Sequence, residues 1–386
     1  MKENKSVIKM YLISIIGVLI LIGLLVTAIV FGTGEKQTVK TLPSAETLLS
    51  TINIPQFPNF ITQDTVKMFL SKETSLSIDA NLDVHYVEKK NQTTWDYTYR
   101  LPVSGTLQIC SMDDGRSMIS VGGVADYSIT GPYIDHPEDG QKHYEKSYFL
   151  IINDTLEDAD IYMREVNPES VSANDIGSWQ FVNDRDIDIQ SVIDEYNKNH
   201  TGDYTDSASM NTATEAFKVL LSNGSTVTEG NYKGLNTIIL NNKLDFRDET
   251  VRKDAQMIFE YLESFNSEFR HYNISQFLEY YGDFVVIKLN IFFTDNGDGT
   301  YSPYVVRIDL SESRIMDYLA KRSGKKLSEV EKYASFDINS AYVDIIILPQ
   351  VPSSIKETMQ ALIEYTDEKL IEKQYENIEN ETHEVE

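Results

Sequence analysis

The sequence predicts an α+β fold: a curved antiparallel sheet (a half-barrel) packed with several helices, preceded by one N-terminal transmembrane helix. Three observations predict it. Met10–Phe31 is an apolar run without a charged residue. From Leu76 to Tyr86, apolar residues alternate strictly with Ser77, Asp79, Asn81, Asp83 and His85. Stretches of that kind then recur to about residue 160 and return near the C-terminus, interleaved with helical spacings.

The apolar run comes first. At about 1.5 Å rise per residue it is long enough for a hydrocarbon core of roughly 30 Å. Lys2, Lys5 and Lys9 precede it against a single acid, Glu3, which predicts a cytoplasmic residue 1 and an extracellular Gly32–Glu386 at the plasma membrane. A cleaved signal peptide has a shorter apolar core and a small-x-small exit, and the exit here is Val26 to Gly34. The reading is therefore an uncleaved, single-pass signal-anchor over 10–31, from about Tyr11 to Phe31, behind a short cytoplasmic tail, 1–9.

Residues 32–61 carry Gly32, Gly34, Pro43, Pro55 and Pro58 and read as a linker holding the next domain off the membrane. The extracytoplasmic domain is assigned to 62–365. Gln63 or Asp64 is expected to cap a short helix, 65–71. The alternating stretch 74–87 is the clearest strand, and its single apolar face is the antiparallel pattern, since parallel strands are buried on both faces. Trp95, Tyr97, Tyr99, Leu101, Val103, Leu107 and Ile109 continue the alternation, and further strands follow at 118–129, 144–152 and 160–166.

Residues 183–245 break the pattern and read as an insertion, with short helices near 187–196 and 214–221. An amphipathic helix then starts at Asp248 or Thr250, with Val251, Ala255, Ile258 and Leu262 on one side. Asp295-Asn-Gly-Asp-Gly turns a hairpin between 284–294 and 301–310. Ser311 or Ser313 is expected to cap a helix that Gly324 stops, and Ser328 with Glu331 suggests a capping box. A last strand spans 336–348, and Ser353 starts a final helix. The tail 366–386 holds eight acids and two bases and reads as disordered.

The formal charge of −26 excludes a nucleic-acid binder in the usual sense, because phosphate contact needs basic patches. One cysteine, Cys110, allows no intrachain disulfide. It reads as a small buried hydrophobe on a strand. HExxH, GxSxG, GxxxxGK[ST] and CxxC are absent. Ser353 with Lys356 matches Ser-x-x-Lys, but without its partner motifs, and a helix cap accounts for it. His136 and His143 flank a polar loop, and a metal site needs more convergent ligands. Asp295, Asn296 and Asp298 resemble half a calcium loop without its closing Glu, so the turn reading stands. With 60 acids, pairs such as Asp158/Asp160 and Asp186/Asp188 say little about glycoside hydrolysis. The residues name no catalytic group, no metal and no cofactor.

Aromatics are more informative: 23 Tyr and 16 Phe, many on strands. On one face of a curved sheet they would line an apolar cavity, with core packing the plainer reading of any one of them. The residues expected to line it are Leu76, Ile78, Leu82, Val84, Tyr97, Tyr99, Leu107, Ile109, Phe292 and Val306.

The order of elements resembles a known group. A long alternating strand at 75–87 opens a run of antiparallel strands. Tyr148 and Tyr162-Met-Arg precede Ser178 and Trp179. A late hairpin and helices lead to an apolar strand ending in Ile347, Leu348 and Pro349, with Val351 next. Over about 64–362 this is similar to the LolA/RseB-like lipoprotein-carrier half-barrels and their Gram-positive, membrane-anchored relatives. The resemblance implies a half-barrel around an apolar cavity, helices as a lid, an acyl chain or another protein as partner, and no cofactor. It carries over no residue role. The expected function is thus a membrane-anchored extracytoplasmic binding module for an apolar or lipidic ligand, not an enzyme. A cell-envelope protein-interaction or sensor module is the alternative, and a wall-glycan hydrolase a more distant one.

Overall fold

A computed structural model describes residues 42–52, 61–90, 92–112, 115–132, 140–152, 155–156, 159–166, 180–181, 189–199, 216–265 and 274–348, with positions 350, 351, 353, 356, 357, 360, 361 and 364. The apolar run from Tyr11 to Phe31, His136, Trp179 and the acidic tail lie outside the described residues. Among the described residues no helix is long and apolar enough to cross a membrane.

The strands are β1 (Thr74–Lys90), β2 (Thr93–Ser111), β3 (Ser117–Thr130), β4 (Gln141–Ile152), β5 (Ala159–Val166), β6 (Gln180–Phe181), β7 (Thr226–Tyr232), β8 (Leu235–Asp245), β9 (Val286–Asp295), β10 (Tyr301–Asp309) and β11 (Ala334–Leu348). They form one open 11-stranded sheet in the order β6-β5-β4-β3-β2-β1-β11-β10-β9-β8-β7. Every pairing is antiparallel. The chain begins mid-sheet, meanders to one edge, crosses to the other and meanders back. Its first and last strands are therefore neighbours. The crossing carries the helix Ile189–Asn199 and a helical stretch at 216–222.

Side chains alternate along a strand and cross-strand partners share a face, so the register sorts the sheet into two faces. Leu76 pairs with Leu107 and Ile347, Leu107 with Val121, and Val121 with Tyr148. This is the helix face. Leu48, Leu70, Ile193 and Leu221, from four helical segments, bury against its Ile109, Ile161, Leu240 and Phe293. The helix Glu249–Phe265 and the helix Ile274–Tyr281 extend that layer, closing Ala255 and Leu278 over Phe246, Leu244 and Ile287. At roughly 25 cal/mol per Å2 of apolar area, this layer supplies the main stabilisation of the fold.

Ser77, Asp79, Asp344 and Ile346 point the other way. Two smaller clusters sit on that second face. Cys110, Met118, Phe149, Ile151 and Tyr162 are closed by Val351, and Tyr232, Phe292 and Val305 form the other. Cys110 is buried on β2 and forms no disulfide, as its sequence context predicts.

The structure departs from the sequence reading in three places. Part of the expected linker is core: Ser44 caps a helix over Ala45–Ser50, Leu48 is fully buried, and Ile52 and Ile61 join it. The four-residue spacing of Leu48 and Ile52 gives that turn an apolar side. The C-terminal part of the expected insertion is sheet, since 226–245 supplies β7 and β8 at one edge. Polar β7 has little apolar alternation to announce it, and the Ile238-Ile-Leu240 run of β8 lacks a wet face.

Helix starts also differ. Thr62, not Gln63 or Asp64, caps Gln63–Leu70. The hydroxyl of Ser311 bonds to Asp309 and that of Ser313 to the Val286 backbone. The helix Ile315–Ser323 therefore begins without a side-chain cap, although Gly324 ends it at φ 66° as expected. Ser328 lies inside Leu327–Val330, so no capping box forms there.

Candidate functional site

Nine of the ten residues expected to line an apolar surface share the helix face. Leu76, Ile78, Leu82 and Val84 are alternate residues of β1. Tyr99 pairs with Val84, Leu107 with Leu76, Ile109 with Thr74 and Tyr97 with Tyr86, while Val306 joins through Ile345 and Ile78. Phe292 does not belong with them. It pairs with Val305, and Val305 with Ile346, which puts it on the opposite face. Ile291 holds the helix-face position on β9, and in the unbroken run Ile291-Phe292-Phe293 periodicity could not choose between them.

The helix face changes character along β1 and β2. At one end Leu76, Leu107 and Ile109 lie under helices in the closed core. At the other, Leu82 is 40 % exposed and Tyr97 and Tyr99 are half-buried. Aromatic rings gather there. Tyr86 lies 6.1 Å from Phe336, Trp95 lies 6.3 Å from Tyr97, and Tyr97 lies 6.1 Å from Tyr99. Burial, reinforced by Glu88, pushes the Tyr86 hydroxyl up to about 12. Gly131 is needed beside this array, because a Cβ there would collide with the Tyr97 ring. The result is an apolar stripe that begins in the core and ends half open.

The second face holds an arrangement the sequence reading missed. Asp344 is fully buried on β11. Its carboxylate accepts two hydrogen bonds from Arg307 on β10, Nε to Oδ1 at 2.6 Å and Nη2 to Oδ2 at 2.7 Å, and one from the Tyr232 hydroxyl at 2.8 Å. A buried carboxylate with fewer partners would be costly, and bidentate arginine is the donor that fits it best. The hydrogen bond to Asp344 holds the Arg307 guanidinium above its ordinary value. Burial, then Asp344, raises the Tyr232 hydroxyl. The guanidinium carbon sits 4.6 Å from the Tyr342 ring centre. In sequence, the available signal is one charge inside each of two apolar runs, Val305 to Ile308 and Val343 to Leu348.

Tyr232 reaches Asp344 although three strands separate β7 from β11. The tip of the β7–β8 hairpin lies across the second face like a strap. Tyr232 touches Phe292 on β9 and Tyr304 on β10, and Lys233 Nζ lies 2.6 Å from the Asp79 carboxylate on β1. Lys233 at φ 49° and Gly234 at φ 93° form a two-residue turn of type I′ character. Asn231 accepts from the Gly234 amide. Gly230 leaves space for the Ile239 side chain, which a Cβ would strike.

The remaining sequence candidates have plain structural roles. Asp295 and Asp298 accept from the amides of Gly297 and Thr300, closing the hairpin turn. His143 pairs with Asp126 at 2.6 Å. Among the described residues no group of three His, Cys, Asp or Glu side chains is placed to hold a metal ion. Asp158, Asp186 and Asp188 lie outside the described residues. Comparison with family models, curated proteins and solved structures returns no match for this chain.

Proposed function

We propose that this protein is a membrane-anchored extracytoplasmic binding module for an apolar, acyl-type ligand, and that it works without catalysis or cofactor. One observation carries the reading: nine of the residues expected to line an apolar surface fall on a single sheet face, which runs from a closed core at Leu76 and Ile109 to a half-open aromatic end at Leu82, Tyr97 and Tyr99. An acyl chain suits such a surface, because burying it releases apolar area on both partners and asks for no polar contact. The open antiparallel sheet with helices on that face is compatible with the curved sheet this reading needs. The apolar run 10–31 would hold the module at the plasma membrane, with residue 1 in the cytoplasm.

A photoactivatable fatty acid tests this on membranes containing the full chain. Crosslinks are expected on peptides bearing Leu82, Val84, Tyr97 and Tyr99, and Leu82→Asp should remove them. Labelling confined to 10–31 would refute the reading.

A further inference from the structure

We propose that the outward edge of Arg307, together with the Asn290 amide and the Tyr342 ring, forms a binding site for a neutral saccharide. Arg307 uses Nε and one proton of Nη2 on Asp344. The other Nη2 proton and both protons of Nη1 have no partner among the described residues, and the side chain is 30 % exposed. One Nη1 proton and the remaining Nη2 proton form a second, parallel fork that faces away from the carboxylate. Asn290 lies directly across from Arg307 on β9. Its amide, like the Tyr342 hydroxyl, makes no hydrogen bond among the described residues.

Water can satisfy exposed polar groups, so lack of a partner alone would mean little. The distinguishing feature is that the donor fork cannot turn away. Asp344 is fully buried and grips the guanidinium at two points, the Tyr232 hydroxyl holds Asp344 as well, and the Tyr342 ring centre lies 4.6 Å from the guanidinium carbon. A donor pair held this firmly loses little rotamer freedom when a ligand arrives.

Charge selects the ligand class. Arg307 cancels Asp344, and Lys233 cancels Asp79. The site is therefore close to neutral within a chain of formal charge −26. An anion gains no net attraction there and is repelled by the molecule as a whole, while a cation meets the guanidinium edge. A neutral molecule with two adjacent oxygens fits. Neighbouring hydroxyls of a sugar ring can accept the two parallel N–H groups, a further hydroxyl can bond to the Asn290 carbonyl, and the C–H face of the ring can lie against an aromatic side chain. The site is on the face opposite the apolar stripe, so its fate is independent of the acyl-ligand reading.

The test uses the full chain in a detergent without a sugar headgroup. Two probes are titrated, N-acetylglucosamine tetrasaccharide and cellotetraose, and read by calorimetry and saturation-transfer NMR. At least one is expected to bind. Asn290→Ala and Arg307→Lys should each weaken it about tenfold or more, the effect of losing a charge-assisted or paired hydrogen bond. Leu82→Asp should leave it unchanged. Should Arg307→Lys fail to give a folded melting curve, Asn290→Ala and Tyr342→Ala decide the matter. The proposal is overturned if neither saccharide binds, if Asn290→Ala and Tyr342→Ala bind like the parent, or if only acetate or inorganic phosphate binds.

Discussion

The two faces of this one sheet bury their centres by opposite means. The helix face relies mainly on apolar packing: Ile109, Phe293 and Leu76 lie under helices, and the buried Asn242 amide there donates to the Leu220 and Leu221 carbonyls. The second face sinks a whole charge, Asp344, and surrounds it with three donors, two from Arg307 on the neighbouring β10 and one from Tyr232 on β7. An apolar layer tolerates imperfect fit in small steps, because each lost methylene costs about 1 kcal/mol. A buried ion pair has no such gradation. It is satisfied or badly unsatisfied, and so it fixes one geometry of β7 against β11 where greasy contact alone would allow several.

The sharpest break of this contrast is Asp344→Ala. It strands Arg307 and Tyr232 and should cost about 3–5 kcal/mol in denaturant unfolding. The double change Arg307→Met with Asp344→Leu should recover most of that loss, since a matched apolar pair removes the desolvation problem. If Asp344→Ala unfolds like the parent, the pair is ornamental. Ile109→Ala on the helix face comes next, at about 2–5 kcal/mol, and no second substitution of opposite polarity should rescue it. Tyr232→Phe is smaller, about 1.5–3 kcal/mol, because two arginine donors still hold Asp344. Its signature is local: amides at the hairpin tip from Tyr232 to Leu235 should exchange faster while β2 amides do not.

Leu82→Ala should change stability least, within about 0.5 kcal/mol, because the residue already stands partly in solvent. A larger loss would mean that something covers the aromatic end. Last comes a prediction of direction only. Asp126 holds the His143 imidazolium above the usual histidine value of 6.5. A group whose folded value is raised adds stability that is complete below its unfolded value and fades as pH rises through the folded one. NMR titration should place the His143 midpoint above 6.5, and Asp126→Asn should bring it back down.

Much of this contrast can be traced to what a linear sequence exposes. The helix face was legible because β1 and β2 each keep one wet side, so Leu76 to Tyr86 announce themselves by period. β8 and β9 hide their faces, since Ile238 to Leu240 and Ile291 to Phe293 are apolar on both sides, and that is why Phe292 was assigned to the wrong one. β7 was illegible for another reason. Its ties to the rest of the sheet are its ladder with β8 and Tyr232 reaching across to Asp344, which no local pattern records. Gly230 and the Lys233-Gly234 step were local signs of that hairpin, where both turn residues take positive φ. The Arg307–Asp344 pair is separated by 37 positions along the chain, and only pairing β10 with β11 brings it together. Thr62 as a cap, in place of Gln63 or Asp64, was missed by a single position, the usual uncertainty of helix ends.

The meeting of β1 with β11 has a consequence for how the molecule is made. Of the described strands β1 is made before all others and β11 after them, and until β11 appears one long hydrogen-bonding border of β1 lacks its partner. Growth from the N-terminus can assemble β1 through β6, but the central seam closes only once β11 has emerged. Such distant pairing makes for slow closure and a prolonged, adhesive half-sheet. A holding chaperone that shields β1 during that interval would therefore raise the yield of folded protein.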